Sequence, residues 1–227
     1  MMGPYGVGYR EFQLKTGNKP WVSVYYPIDK QVYEELKDNP EFNIQKMRDG
    51  FKAAEGLARG FNAGPHFLFR YHTQSRVQVV KNFRLHRDFT NNEKGLIPVF
   101  FSHGLVFNRN KYSAICRELA SNGCIVYSFD HTDGSCSYFL DETIDPPRET
   151  FYTEYDAKIH AFTHEEYRRR QIAVRLNDVE QLLRYVKETE VIENPSIDLS
   201  KLCYCGHSMG GLTAIESCRK FDENFKY

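Results

Sequence analysis

The residues with the clearest chemical potential are Gly206-His207-Ser208-Met209-Gly210, a Gly-x-Ser-x-Gly pattern. It lies between an apolar run, KLCYCGHS (201–208), and a helix-forming run, MGGLTAIESC (209–218). A strand that turns sharply into a helix at such a serine strains the backbone there and lifts the hydroxyl above the sheet, where it can attack an acyl carbon. Glycines flank the serine because side chains there would meet the neighbouring strand and helix. The same turn aims the N–H of Met209, at the helix N-terminus, into the site, where an amide stabilises a developing oxyanion. A second donor is expected from the loop after an earlier central strand. FSHGL (101–105) is placed for it: Gly104 permits the turn, and the Leu105 N–H is the candidate.

An attacking serine needs a base, itself oriented by a carboxylate. His207 precedes the serine, so its side chain is expected to turn away into packing. His103 precedes the proposed oxyanion turn and is expected to brace that loop. His131, Asp130 and Asp133 sit at the carboxyl end of a strand and are expected to form a structural polar network. Downstream of Ser208 come Glu216, Asp222 and Glu223, and no histidine. All three acids lie on or near the elbow helix.

The elements that must position these groups read as alternating strands and helices. WVSVYYP (21–27) alternates and is β-branched and aromatic, an early strand. GLIPVFFSHG (95–104) and CIVYSFDH (124–131) are buried-type strands. They are joined by a helix, KYSAICRELASNG (111–123), whose inner face is expected at Ile115 and Leu119, with Gly123 closing it. This β-α-β unit implies a parallel sheet. The tract 132–162 reads as a long excursion above the sheet. A helix then starts at the capping box of Thr163 and Glu166, with an apolar stripe of Ile172, Leu176, Val179, Leu183 and Val186. Arg168, Arg169 and Arg170 are expected to be solvated on its first turns. Residues 31–75 show weak helical periodicity (Phe51, Ala54, Ala58, Phe61) broken by glycines and Pro65. They read as a surface excursion packed on the domain or as a shallow membrane-surface helix.

Composition bounds the function. Thirty basic residues balance thirty acidic ones, so no global field draws the chain to nucleic acid. The length suits a single α/β domain, 1–227. Nothing approaches the run of about 18 apolar residues that a membrane span needs. MMGPYGVGYREF has no apolar signal core, so a cytoplasmic location is expected. Six cysteines include no C-x-x-C, and Cys203 and Cys205 read as small buried hydrophobes rather than a metal or redox pair.

Together, GPYGVGY (3–9), VSVYYP (22–27), PVFFSHGLVFNRNKYSAICRELASNGCIVYSFDHTDGSCSYF (98–139) and GHSMGG (206–211) resemble the platelet-activating-factor acetylhydrolases of the plasma and intracellular type II kind. The resemblance runs from about residue 3 to the C-terminus. It implies an α/β-hydrolase fold with a mostly parallel sheet, here cut short after the nucleophile elbow, so that KLCYCG becomes a buried-type strand left at an edge. It implies a calcium-independent serine esterase that needs no cofactor or metal and removes acetyl or short acyl groups from the sn-2 position of phospholipids. Ser208 is then the nucleophile and the Leu105 and Met209 amides the oxyanion hole. The phospholipid is met at a membrane or lipoprotein surface through a helix at about 48–64. In that family the catalytic Asp and His follow the serine in the chain, which implies that both are encoded beyond Tyr227 and that the 227-residue sequence is incomplete. Where the family has His-Arg-Asp-x-Ser, this sequence has His131-Thr132-Asp133-Gly134-Ser135, without the arginine. The competing readings are an inactive lipid- or partner-binding paralogue and another α/β-hydrolase carboxylesterase.

Overall fold

A computed structural model describes residues 2–45, 50–63, 75–90, 94–189, 192 and 196–225. Its strands are β1 (Gly6–Gln13), β2 (Trp21–Ile28), β3 (Ile44–Gln45), β4 (Arg76–Val77), β5 (Val80–Lys81), β6 (Ile97–Ser102), β7 (Cys124–Phe129), β8 (Tyr138–Asp141), β9 (Arg148–Phe151) and β10 (Cys203–Gly206). Its α-helices are α1 (Lys30–Leu36), α2 (Gly50–Gly60), α3 (Ser113–Ser121), α4 (His164–Glu188) and α5 (Met209–Lys220). The central sheet has the order β10-β6-β7-β2-β1-β5. β10, β6 and β7 run parallel, β2 is antiparallel to both β7 and β1, and β5 rejoins β1 in parallel.

The continuous apolar runs become the strands buried on both faces, as expected for a covered parallel sheet. Every residue of β2 is buried, and so are five of the six in β6 and in β7. The helix α3 lies on one face against β7, β2 and β1. On the other face, Tyr185 of α4 meets Phe12, and Phe225 beyond α5 meets Phe100 and Tyr204. Gly123 ends the α3 region at φ +95°, the left-handed geometry that glycine alone adopts at no steric cost.

Three packing expectations are corrected. Ile115 is half exposed, and the inner face of α3 is Cys116 and Ala120, one turn apart. Small residues there let the helix approach the sheet closely. In α4, the buried stripe keeps Val179, Leu183 and Val186, but Ile172 and Leu176 are only half-buried, and the innermost positions of its first half are Gln171, Arg175 and Asp178. Cys203 is half-buried and Cys205 exposed rather than buried. Both lie on the face covered by α3, and α3 packs chiefly on β7, β2 and β1 rather than on terminal β10. The edge position expected for this strand is observed: β10 is terminal in the sheet.

The excursion at 132–162 contains the β8–β9 hairpin. The described part of the tract at 31–75 contains α1, β3 and α2. Ala53, Ala54, Leu57 and Ala58 of α2 bury against Val106 and Tyr138 in a second, smaller apolar cluster. Phe51 and Phe61 face outward at 49% and 51% exposure, so the four periodic positions split between two faces. Pro65 lies outside the described residues, as do 48, 49 and 64 of the 48–64 segment. Among the described residues, no helix is long and apolar enough to cross a membrane.

Candidate active site

The elbow forms because β10 cannot continue past Gly206. Its last residues pair with β6, Gly206 opposite Ser102, and the His207 amide still donates to the Ser102 carbonyl at 3.2 Å. The chain then reverses through Ser208 at φ +54°, ψ −120°, and α5 begins at Met209. A non-glycine residue in this region carries strain of order 1–3 kcal/mol, held by the surrounding structure. The glycines are obligatory by geometry. A Cβ on Gly206 would lie 2.2 Å from the Gly210 carbonyl oxygen, and one on Gly210 would lie 2.2 Å from the Ser102 carbonyl oxygen.

Ser208 occupies the N-cap position of α5, where a serine ordinarily accepts a hydrogen bond from the first-turn amides. Here its side chain makes no such bond, so the hydroxyl stands exposed above the sheet. The first amides of α5 divide their roles. Gly210 and Gly211 donate back to the carbonyls of His207 and Ser208, whereas the Met209 amide has no hydrogen-bond partner among the described residues.

The loop leaving β6 abuts this elbow. A Cβ on Gly104 would sit 3.2 Å from the Ser208 Cβ, so glycine is what lets the two turns touch. The Gly104 amide donates to the Tyr112 hydroxyl at 3.2 Å. The Leu105 amide, next in the chain, has no partner among the described residues. Val106 follows at φ +68°, a left-handed β-branched residue. Its amide donates to the Ser135 carbonyl at 2.8 Å, and its side chain fills the space over Gly60 of α2.

Two buried arginines fix this loop. Arg109, within it, donates from its amide to Asp130 at 2.6 Å, from Nε to Ser23 at 3.0 Å and from Nη2 to Glu11 at 3.1 Å, and its Nη1 also meets Asp130. Arg175, fully buried on α4, donates to the His103 carbonyl at 2.9 Å, to Asp133 at 2.8 Å, to Ser135 at 2.5 Å and to Thr213 of α5 at 3.3 Å. The guanidinium missing from the His131-Thr132-Asp133 stretch is thus supplied from α4. The polar network expected there is intact.

The histidines fall as their neighbours dictate. His103 is buried. Its Nδ1 donates to the Gly104 carbonyl at 2.7 Å, and its Nε2 accepts the His131 amide at 3.1 Å. Burial, with the Arg175 charge nearby, lowers its pKa to about 3, so it is a neutral brace with both nitrogens committed. His207 is exposed rather than buried in packing, because β10 is terminal. Its Nδ1 pairs with the Tyr112 hydroxyl at 2.8 Å, and its ring lies against Tyr112 and Phe107.

His131 stands in a second serine–histidine–aspartate row. Ser102 Oγ is 2.7 Å from its Nε2, and Asp178 Oδ2 is 3.1 Å from its Nδ1. The order matches a proton relay, but all three residues are fully buried, and Ser102 is also bound to the Tyr204 hydroxyl at 2.7 Å. The row ties β6, the segment after β7, β10 and α4 together. Burial holds His131 far below its usual pKa and raises Asp178 to about 7, against donors from Thr132 and Asn18. Sequence reasoning missed Arg175, Asp178 and Arg109. The spacing of Gln171, Arg175 and Asp178 was the available signal: polar residues repeating at helical intervals beside an apolar stripe.

The acids downstream of Ser208 are on or beyond the outer surface of α5. Glu216 pairs with Arg219 at 2.8 Å, and Asp222 and Glu223 follow the helix. Among the described residues, no histidine or carboxylate hydrogen-bonds Ser208 Oγ.

Comparison with known proteins identifies the family. The family model described as platelet-activating factor acetylhydrolase, isoform II, matches residues 1–227. Platelet-activating factor acetylhydrolase of Gallus gallus is 29% identical over 247 residues, covering 96% of this chain and 56% of that protein. The protein of that name from Cavia porcellus is 34% identical over 244 residues, covering 99% and 52%. The chain thus spans about half the length of these curated relatives. Among solved structures, the ferulic acid esterase from Streptomyces cinnamoneus superposes with a TM-score of 0.64 at 16% identity, over 98% of this chain and 57% of that one. That likeness speaks to the fold alone, a mostly parallel sheet with helices of the α/β-hydrolase kind. The chain belongs to the platelet-activating factor acetylhydrolase, isoform II, family.

Proposed function

We propose that the protein carrying this chain is a serine esterase that hydrolyses the sn-2 acetyl or short acyl ester of platelet-activating factor and related phospholipids, in lipid catabolism. The observation that carries this reading is Ser208: exposed, at φ +54°, uncapped, and set against the glycine turn after β6. Ser208 Oγ attacks the ester carbonyl carbon as its proton passes to a base. The Leu105 and Met209 amides, both without partners among the described residues, take the oxyanion charge. Collapse expels the lysophospholipid alcohol, which regains the proton, and water releases the acyl group from Ser208.

The reading assigns the base and its carboxylate to protein outside these 227 residues. Six of the eight histidines are described, and none hydrogen-bonds Ser208. The relatives are nearly twice as long. A cytoplasmic enzyme peripheral to membranes belongs to the same proposal. Phe51 of α2 and Phe61 just after it, each about half exposed, suit a shallow lipid contact through about 48–64.

Fluorophosphonate labelling read by intact mass tests this, with Ser208→Ala as control. The longer protein is expected to label rapidly at Ser208 and to release acetate from an sn-2 acetyl phospholipid. The 227-residue chain is expected to label slowly, because a serine site without its partners keeps only residual reactivity. Rapid Ser208-dependent labelling of the 227-residue chain would overturn the assignment of the base. A longer form that binds phospholipid without turnover would favour the binding-paralogue reading. Preference for simple aryl esters over phospholipids would favour a carboxylesterase.

A further inference from the structure

One well-formed cavity among the described residues is remote from Ser208. It holds about 530 Å³ between Arg10 of β1, the segment Phe83–Thr90 and Ile192, within the range of small-molecule sites. Ser208 stands beyond the carboxyl ends of β6 and β10. The cavity is at the opposite end of the sheet, because Asp29 follows the end of β2 where Ile28 pairs with Gly6, and the His86 amide donates to the Pro27 carbonyl there.

Its lining is cationic in a chain whose total charge is balanced. Arg10, Arg84, Arg87 and His86 face one carboxylate, Asp29. That carboxylate is engaged, since Oδ1 accepts the Gln31 and Val32 amides at 2.8 and 3.1 Å as the cap of α1. Nearby Asp88 is taken by the Tyr5 hydroxyl at 2.9 Å and by Lys94 at 3.2 Å. Arg84 and Arg87 are exposed and form no ion pair among the described residues. The His86 Nδ1 lies 3.3 Å from the Asp88 amide and 3.4 Å from the Asp88 carboxylate, so this ring is engaged with Asp88 and the arginines are the donors left to a ligand. Phe83, Leu85 and Ile192 supply an apolar wall beside these donors.

We propose that this cavity binds a phosphomonoester. The phosphate would sit on the Arg84 and Arg87 guanidiniums, whose forked donors match phosphate oxygens in pairs. The carbon skeleton would lie against Phe83, Leu85 and Ile192. A soluble metabolite and the headgroup of an anionic lipid present the same chemistry.

Calorimetric titration of the 227-residue chain with glycerol 3-phosphate, and co-sedimentation with phosphatidic acid or phosphatidylcholine vesicles, test the proposal. The test variant is Arg84→Gln/Arg87→Gln. Both side chains are exposed, so its melting temperature is expected to match the parent. Arg169→Gln/Arg170→Gln on the outer face of α4 is the charge-matched control. The expected result is saturable binding that weakens at least ~10-fold in the test variant and is retained in the control. Binding of glycerol 3-phosphate assigns a soluble ligand, and binding confined to phosphatidic acid vesicles assigns a headgroup. The proposal is overturned if neither ligand binds at millimolar concentration, or if the two double variants behave alike.

Discussion

Arg175 Nη1 donates to the main-chain oxygen of His103 across 2.9 Å, although 72 positions separate the two residues. This bond ties α4 to the loop that carries the Leu105 amide. Its neighbours on the same guanidinium tie in Asp133, Ser135 and Thr213.

Removing that guanidinium leaves Asp133 buried without a counter-charge. Arg175→Met is therefore expected to destabilise the fold by about 3–5 kcal/mol. Arg175→Lys should recover only part of this, because a single ammonium cannot match four acceptors held in a planar fork. Urea denaturation midpoints of the three proteins measure it, and a Lys variant as stable as the parent would contradict the clamp.

Adjacent glycines at the elbow should respond in opposite ways. A Cβ on Gly210 would meet the Ser102 carbonyl oxygen at 2.2 Å, whereas one on Gly211 would find nothing nearer than the Gly206 oxygen at 3.5 Å. Gly210→Ala is expected to lose several kcal/mol, of the order of a serious steric conflict. Gly211→Ala should be neutral or gain up to about 1 kcal/mol from helix propensity. Thermal melts of the pair decide it.

Strain at Ser208 is expected to appear as a stability cost of the proposed nucleophile. Glycine adopts φ +54° freely, so Ser208→Gly should stabilise the fold by roughly 1–2 kcal/mol. Ser208→Ala keeps the Cβ and should not. Equal midpoints for the Gly and Ala variants would show that the turn is unstrained.

Acid should weaken this fold through its buried histidines. His103 has a pKa near 3 in the fold, below the free value, so unfolding takes up a proton between about pH 6.5 and pH 3. Its contribution is complete above pH 6.5 and declines by about 1.4 kcal/mol per pH unit on the way down. His131 is shifted in the same direction. Asp178, raised to about 7, opposes them: its share is present below its unfolded value and lost as pH rises through 7. In His103→Gln, the slope of unfolding free energy against pH between 6 and 4 should fall by about 1.4 kcal/mol per unit. An unchanged slope would mean that His103 is charged in the fold.

Local signals were legible in the sequence. The Gly-x-Ser-x-Gly elbow, the two apolar parallel strands, Gly123 and the Thr163 cap each depend on residues a few positions apart, and the structure has all of them. Thr163 Oγ1 accepts the Glu166 amide at 3.2 Å, as a cap should. What stayed hidden depends on distant partners. Arg175 reads as a solvated helix residue until Asp133, His103 and Thr213 are brought around it by three separate elements. Ile115 looks like a core residue until the strands below α3 are seen to favour a close helix seated on Cys116 and Ala120. Cys203 and Cys205 have the composition of an interior strand, and only the order of the sheet shows that their face extends past α3.

The pairing of β6 with β10 has a further consequence. The two strands are parallel neighbours, Ser102 opposite Gly206, and the turns bearing Leu105 and Met209 leave the sheet side by side. Backbones joined in this way stand about 4.8 Å apart through hydrogen bonding alone. The separation of the two proposed oxyanion donors is therefore gauged by main chain rather than by side chains. Substitutions on the surrounding surface can reshape what lies around the two turns while the sheet keeps their spacing.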